Sequence, residues 1–366
     1  MKITNLVYIS SSVIPSKTAN SVHVMKMCNA LSGYIKTTLI ATKGQTGADV
    51  YSYYKTKKNF DLVLINKPTN FIGRIKYIIE ALLSLKNCTD SIIYGRHRLI
   101  VFLLSFVRDN VVYEAHEIPI GWFRARIENI FFKRKSFKKL VVISEALKLD
   151  YLQSFSMLSD SKIIVAHDGA DLPIKKTQVV KNNVLNVGYV GHLYQGRGVE
   201  IIIKLARIFP KIDFTIVGGM ERDVKYWRGE AVGIKNINFI GHVSQVELDT
   251  YYRTFDILLA PYQLGINQED GKSDTSKWMS PMKIFEYMSY SKPIIASDIS
   301  VLREIVNEHN SILVDPSSID AWSQAIKTLT SEKLRCDLGE VAYKDFCKNY
   351  TWDIRAKNLL TELNIL

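Results

Sequence analysis

The chain has 366 residues, more than one hydrophobic core usually serves, so its length argues for two domains and excludes a single small module. Hydrophobic residues make up 47% and charged residues 23%, a balance that excludes global disorder. The net charge of +12 favours anionic partners, whether nucleic acid, acidic lipid or phosphate-bearing small molecules, and does not choose among them.

The first apolar run, Leu6 to Ile9, ends in Ser10-Ser11-Ser12 and is too short for a secretory or membrane-spanning segment. Any membrane contact is therefore expected to be peripheral. Short Val-, Ile- and Tyr-rich runs predict strands at residues 4–10, 37–41, 61–65, 91–94, 111–114, 140–143 and 163–166. Between them, residues 71–85 predict an amphipathic crossover helix with Phe71, Ile75, Ile78, Ile79, Leu82 and Leu85 on its buried face. After Leu172-Pro173 a polar, aperiodic stretch reads as a linker, and a second strand series follows at 184–190, 214–217, 237–240, 257–260, 293–296 and 312–314. Strands alternating with helices imply parallel sheets, so the expected fold is α/β, with two Rossmann-like doubly wound domains facing a cleft. Their expected limits are 1–172 for the first domain, 173–183 for the linker and 184–349 for the second. A C-terminal helix within 350–366 is expected to pack back on the first domain. Cys28, Cys88, Cys336 and Cys347 lie far apart with no zinc spacing, so neither a disulfide framework nor a metal site is expected, and a reducing cytoplasm fits best.

Chemistry concentrates in Ser280-Pro281-Met282-Lys283-Ile284-Phe285-Glu286-Tyr287-Met288. Ser-Pro at the start of an apolar helix predicts a serine N-cap, with backbone N–H groups left to receive phosphate. Lys283 places a cation where the helix dipole opposes it, a conflict that a bound anion removes. Glu286, one turn on, can accept hydrogen bonds from a ribose diol. An ordinary capped core helix with two solvated charges explains the segment equally well in isolation.

The run from Ser280 to Asp298 resembles the donor-binding signature of retaining GT-B glycosyltransferases of glycosyltransferase family 4. Further matches are Tyr189-Val190-Gly191 with Gly196-Arg197-Gly198, Ile216-Val217-Gly218-Gly219, Phe239-Ile240-Gly241-His242-Val243 and Asp168-Gly169-Ala170-Asp171. The resemblance implies a retaining, metal-independent transfer from a nucleotide-diphosphate sugar to a hydroxyl of a glycan or lipid-linked glycan, in surface polysaccharide or lipopolysaccharide synthesis, with no cofactor. It implies that Glu286 holds the ribose, and that Gly191, Arg197, Gly218, His242, Val243, Ser280, Pro281, Met282 and Lys283 bind the donor, with Arg197 and Lys283 as catalytic cations. The family's other glutamate falls at Trp278, a departure that Glu269, Asp270 or Asp274 would have to offset, and His192 stands where an arginine is usual.

His116 emerges directly after a strand in Tyr113-Glu114-Ala115-His116-Glu117, and by resemblance it lies beside the donor sugar as a catalytic residue. The first strand-to-helix loop, residues 16–23, supplies Asn20 and His23 as acceptor-side candidates, together with Glu117 and Arg96; a surface salt bridge explains Arg96 equally well. Residues 263–277 read as a loop over the donor sugar. The segment 122–139 carries Arg124, Arg126, Lys133, Arg134, Lys135, Lys138 and Lys139 against Glu128, interleaved with Trp122, Phe123, Phe131, Phe132 and Phe137. It predicts either an interfacial helix that docks the protein on the anionic inner face of the cytoplasmic membrane, or a buried crossover helix with a basic face. A nucleotide-sugar 2-epimerase of the same architecture is the alternative enzyme. A nucleic-acid-binding protein rests on charge alone and is set aside.

Overall fold

The structure is a computed structural model that describes residues 3–45, 49–68, 70–85, 90–173, 184–194, 196–264 and 276–366. Cys88, Glu269, Asp270, Asp274, most of the expected linker and most of the loop at 263–277 lie outside the described residues. The chain divides into two compact units, Met1–His167 with Trp352–Leu366, and Asp168–Thr351.

The first unit holds β1 (Asn5–Ile14), β2 (Lys36–Lys43), β3 (Asp61–Ile65), β4 (Ser91–Gly95), β5 (Val111–Ala115), β6 (Phe137–Val142) and β7 (Ile163–Val165). They pair all parallel in the order β3-β2-β1-β4-β5-β6-β7. β4 and β5 are buried at every residue, as strands covered on both faces must be, and their sequences are correspondingly apolar save for Ser91 and Glu114. β1 runs past the expected Ser10, because a register shift after Ile9 lets Val13 and Ile14 rejoin β2. β6 begins earlier than expected: a register shift pairs Phe137 with Val111, while Lys138 and Lys139 within the strand hide its pattern.

The intervening helices are α1 (Ala19–Leu31), α2 (Val50–Tyr53), α3 (Phe71–Leu83), α4 (Arg98–Leu104), α5 (Trp122–Phe132) and α6 (Glu145–Ser154). Three expectations change here. Thr18 accepts a hydrogen bond from Ser21 N–H and starts α1 at Ala19, so Asn20 and His23 stand on a helix and not in a loop. Among the described side chains of α3 the buried ones are Tyr77 and Ala81, whereas Ile75 and Ile79 are 44% and 49% exposed; Leu85, just beyond the helix, is buried as expected. The Tyr77 hydroxyl, which donates to Ser10 O and accepts from Thr42, fixes the inward face. The segment 122–139 is not one interfacial helix. α5 ends at Phe132, and Phe131, Phe132 and Phe137 are buried among Tyr151 and Phe155, while Lys138 and Lys139 lie on β6.

The second unit contains β8 (Asn186–Val190), β9 (Asp213–Val217), β10 (Ile237–Gly241), β11 (Ile257–Ala260), β12 (Ile294–Ser297) and β13 (Ile312–Val314), all parallel in the order β10-β9-β8-β11-β12-β13. Its helices are α7 (Val199–Ile208), α8 (Glu221–Glu230), α9 (Gln245–Thr254), α10 (Met282–Ser289), α11 (Ile319–Thr328) and α12 (Glu332–Asn349). Phe214, Ile216, Leu205 and Trp322 are among its core residues. The last helix, α13 (Trp352–Glu362), belongs to the first unit and packs on α1.

Strand order reverses between β1 and β4 in one sheet and between β8 and β11 in the other, and ligands of such sheets bind at these reversals. In the second sheet the reversal is closed by glycines. Gly198, at φ +78°, begins α7, and a Cβ there would lie 1.9 Å from Pro261 O. Gly218, at φ +115°, brings the turn after β9 against the turn after β8, where a Cβ would lie 2.2 Å from Gly191 O. Replacing Gly218 with alanine combines a disfavoured backbone with a clash, so urea unfolding should show a loss of about 1–3 kcal/mol. A stability equal to wild type would refute this close approach.

Candidate functional site

Tyr287 seats α10 at the reversal of the second sheet. Its hydroxyl accepts from Val190 N–H at 2.9 Å and lies 3.2 Å from Val190 O and 3.3 Å from Leu259 O, so it ties the helix to the ends of β8 and β11. That anchor sets Lys283 in the helix's first turn, with Nζ 4.1 Å from the Tyr189 ring centre and 4.2 Å from that of Tyr262. Arg197, in the turn after β8, has its guanidinium 5.5 Å from the same Tyr262 ring. Its buried Nε has no hydrogen-bond partner among the described residues.

These cations crowd one another. Burial, and then Arg197, hold the Lys283 ammonium well below its usual range, and Glu286 only partly opposes this. His192 is pushed down to about 4 by burial, then by Arg197, Lys283 and His242, and is neutral at physiological pH. Its ring stacks on Tyr194 at 4.8 Å. An arginine in place of His192 would add a permanent charge beside Arg197 and Lys283.

Ser280 does not cap α10. Pro281 occupies the capping position without a side-chain hydrogen bond, because Ser280 lies one residue too early, and the Ser280 hydroxyl instead accepts from Asp168 N–H at 2.8 Å. The helix therefore starts with no side-chain acceptor of its own. Glu286 is half-buried, and Tyr252 on α9 donates to its Oε2 at 2.6 Å. Pro281, Met282, Val243 and Trp278 are half-buried, and His242 is exposed after β10. Gly218 makes its close approach to Gly191, so steric packing accounts for that glycine.

In the first unit, β5 ends in a second cluster. Glu114 is fully buried, and its Oε1 lies 2.7 Å from His116 Nε2, 3.1 Å from His23 Nε2, 3.5 Å from Arg355 Nη2 and 3.9 Å from Arg96 Nε. The Tyr94 hydroxyl donates to Oε2, as does that of Tyr8 at 3.2 Å. Burial opposes ionisation of Glu114, but Arg355, His23 and His116 outweigh it and hold the carboxyl well below the usual range. His23, Glu114 and His116 offer three ligand atoms within 4.8 Å of one another. Two guanidiniums against the same carboxylate make this a poor place for a cation. Arg96 Nη1 is buried and has no hydrogen-bond partner among the described residues.

Of the sequence-derived candidates, His23, Arg96 and His116 converge on Glu114, and Arg197 and Lys283 converge on Tyr262. Asn20 is exposed in the first turn of α1, and Glu117 is half-buried after β5, where its backbone oxygen accepts from Tyr151. Sequence reasoning passed over Glu114, Arg355, Tyr189, Tyr252 and Tyr262. Only Glu114 carried a signal, as a carboxylate inside a run that must be buried.

Residues 173–345 match the family model of glycosyl transferases group 1. These residues are a little under half of the chain and fall within the second unit. The chain is 23% identical over 221 residues to an uncharacterized 41.2 kDa protein in the cps region of Klebsiella pneumoniae, covering 53% of this chain and 57% of that one. It is 26% identical over 242 residues to the uncharacterized glycosyltransferase MJ1069 of Methanocaldococcus jannaschii, covering 62% and 57%. The matched segment thus spans a little over half the length of these relatives. Among solved structures, a glycosyltransferase from Rickettsia africae superposes with a TM-score of 0.76 at 16% identity, over 99% of this chain and 98% of the other. Anabaena HepE in complex with UDP and glucose gives 0.74 at 14%, and the lipopolysaccharide outer core galactosyltransferase WaaB gives 0.70 at 15%, each covering 99% of both chains. The two parallel α/β units of this chain therefore have the GT-B fold.

A multivalent anion bound in the second unit would relieve the crowding of its cations, raising the proton affinity of Lys283 and His192. Pyrophosphate binding near neutral pH should thus take up protons. Calorimetry in buffers of different ionisation enthalpy reads this directly, and an apparent enthalpy independent of buffer would count against the cluster as the anion site.

Proposed function

We propose that the protein transfers a sugar, with retention at the anomeric carbon, from a nucleotide-diphosphate sugar to a hydroxyl of a glycan or lipid-linked glycan during surface-polysaccharide or lipopolysaccharide synthesis. The observation that carries this reading is the crowded cation cluster of the second unit: the buried Nε of Arg197, without a hydrogen-bond partner among the described residues, beside Lys283 at the start of α10, which has no side-chain cap. Such a site wants a diphosphate, and Arg197 and Lys283 would oppose the charge that grows on it as it departs, with no metal ion required. Glu286, oriented by Tyr252, would accept from the ribose diol through its remaining oxygen. Gly191, Gly218, His242, Val243, Ser280, Pro281 and Met282 would line the rest of the donor site.

In the first unit, His116 would meet the sugar, and Arg96 with His23 would face the acceptor, Asn20 and Glu117 lying at the margins. The C1–O bond to phosphate breaks while the acceptor oxygen bonds to C1 on the same face, and the acceptor proton passes to the leaving phosphate oxygen. The structures of HepE with UDP-glucose and of WaaB support the substrate class by likeness of fold. The cps-region relative supports the polysaccharide setting.

Glu286→Ala, assayed with EDTA present throughout, should weaken nucleoside diphosphate binding by about 1.5–3 kcal/mol through loss of a charged acceptor, while wild type remains active. Unchanged affinity would reject the ribose role, and wild-type activity abolished by EDTA and restored by magnesium would reject the metal-free reading. Sugar interconversion without acceptor would favour the epimerase instead.

The same proposal places the protein on the cytoplasmic face of the membrane. Among the described residues, no helix is long and apolar enough to cross a membrane. Trp122 and Phe123 on α5 are 72% and 67% exposed, with Arg124, Arg126, Ile130 and Lys133 also exposed along the helix. Next to its end, a depression of about 680 Å³ is lined by Phe106, Val107, Arg108, Lys133 and Lys135. Arg134 and Lys139 are engaged with Ser105 O and Ser161 O. Changing Arg124, Arg126, Lys133 and Lys135 to glutamine should therefore release the protein from anionic vesicles, at about 1 kcal/mol per basic residue. Wild-type protein that ignores such vesicles at low salt would end this part of the reading.

A further inference from the structure

Glu114 gathers groups from five parts of the first unit. Facing its carboxylate are Tyr8 of β1, His23 of α1, Tyr94 of β4 with Arg96 just beyond, His116 beyond β5, and Arg355 of α13. Cys28 of α1 is also close enough to feel its charge. Arg355 is 4% exposed and held in place by its own contacts: Nε donates to His167 O at 2.8 Å and Nη2 to Ala166 O at 3.2 Å, while Nη1 lies 3.1 Å from Met27 Sδ. Trp352 of the same helix packs edge-on to His23, with ring centres 5.2 Å apart, and His23 in turn lies 5.6 Å from His116.

The charge count is informative. One carboxylate against two permanently cationic guanidiniums leaves the cluster at a net positive charge while both imidazoles are neutral. Each further proton on a histidine must enter a buried site that is already positive. At 2.7 Å from an ionised carboxylate oxygen, which can only accept, His116 Nε2 must be the protonated nitrogen, leaving Nδ1 as the acceptor.

We propose that Arg355 is a positioning residue for the reaction: acting through Glu114, it holds His116 as the neutral imidazole protonated on Nε2, so that Nδ1 accepts a hydrogen bond from a sugar hydroxyl. The inference rests on the glycosyltransferase reading for the hydroxyl alone. The tautomer and its dependence on Arg355 belong to the protein without substrate. Arg355 stands 241 residues after Glu114, on a helix that contributes no other group to this carboxylate among the described residues.

The test is side-chain proton–nitrogen correlation NMR of histidine-labelled full-length protein, titrated with pH, on wild type, Arg355→Gln and Arg355→Lys. Wild-type His116 should give the Nε2–H pattern at about pH 7.5. Arg355→Gln removes one of the two compensating cations, so His116 should keep its second proton to a pH about one unit higher, the scale of a charge lost at this distance. Arg355→Lys, which keeps the charge but loses the guanidinium's fixed contacts, should shift it less and in the same direction, and it serves alone if the glutamine variant does not fold. In turnover the acidic limb of kcat should move with the NMR shift while KM for the nucleotide sugar stays within about twofold. A wild-type Nδ1–H or doubly protonated His116, or variants whose His116 titration matches wild type, would overturn the proposal. If the NMR shift is found but no nucleotide sugar is ever turned over, the positioning of His116 stands and the transferase reading falls.

Discussion

A carboxylate buried in a parallel sheet must be compensated where it lies, because leaving such a charge unpaired costs several kcal/mol. Glu114 therefore dictates what surrounds it. Two tyrosine hydroxyls take one oxygen, and two imidazoles and two guanidiniums crowd the other. The strand that carries it, the helix that follows β1, the turn after β4 and the last helix of the chain are all fixed to one another through this single group. The second unit presents the reverse condition. Its reversal point gathers Arg197 and Lys283, which among the described residues Glu286 opposes only in part, held by tyrosine rings and by the Tyr287 anchor. Among the described residues the first cluster is compensated around its carboxylate, whereas the second is dominated by positive charge.

The alternation of apolar runs with helical periods was enough to read two parallel α/β sheets and most strand positions. β3, β11 and β13 are legible to the residue; β11 is buried throughout, as a central parallel strand must be, whereas β3 and β13 lie at sheet edges and are announced by their short apolar runs. Misreadings arose where a polar atom decided a face or a boundary. Tyr77 turned α3 through its hydroxyl, Lys138 and Lys139 concealed the start of β6, and Thr18 began α1 earlier than the loop composition suggested. The run of basic and aromatic residues after Gly121 was legible as composition but not as structure, since its phenylalanines divide between core and surface by position along α5 and β6.

The site was legible where its residues are adjacent in sequence and illegible where they are not. Lys283 and Glu286 share one helix turn and could be read together. Tyr252 reaches Glu286 across 34 residues, and Arg355 reaches Glu114 across 241, so no local pattern announces either. Tyrosines in particular escaped, because in a sequence they count as apolar bulk. Here Tyr8, Tyr94, Tyr252 and Tyr287 act through their hydroxyls.

The placement of Arg355 also orders events during synthesis. A chain made at roughly 5–20 residues per second exposes Glu114 about ten to fifty seconds before its last cationic partner exists. The nascent first unit must spend that interval with its central carboxylate short of a cation, while the whole second unit is made and has time to fold. The usual sequence, in which an N-terminal domain is finished before the next begins, is thus inverted: the beginning of this protein is completed by its end.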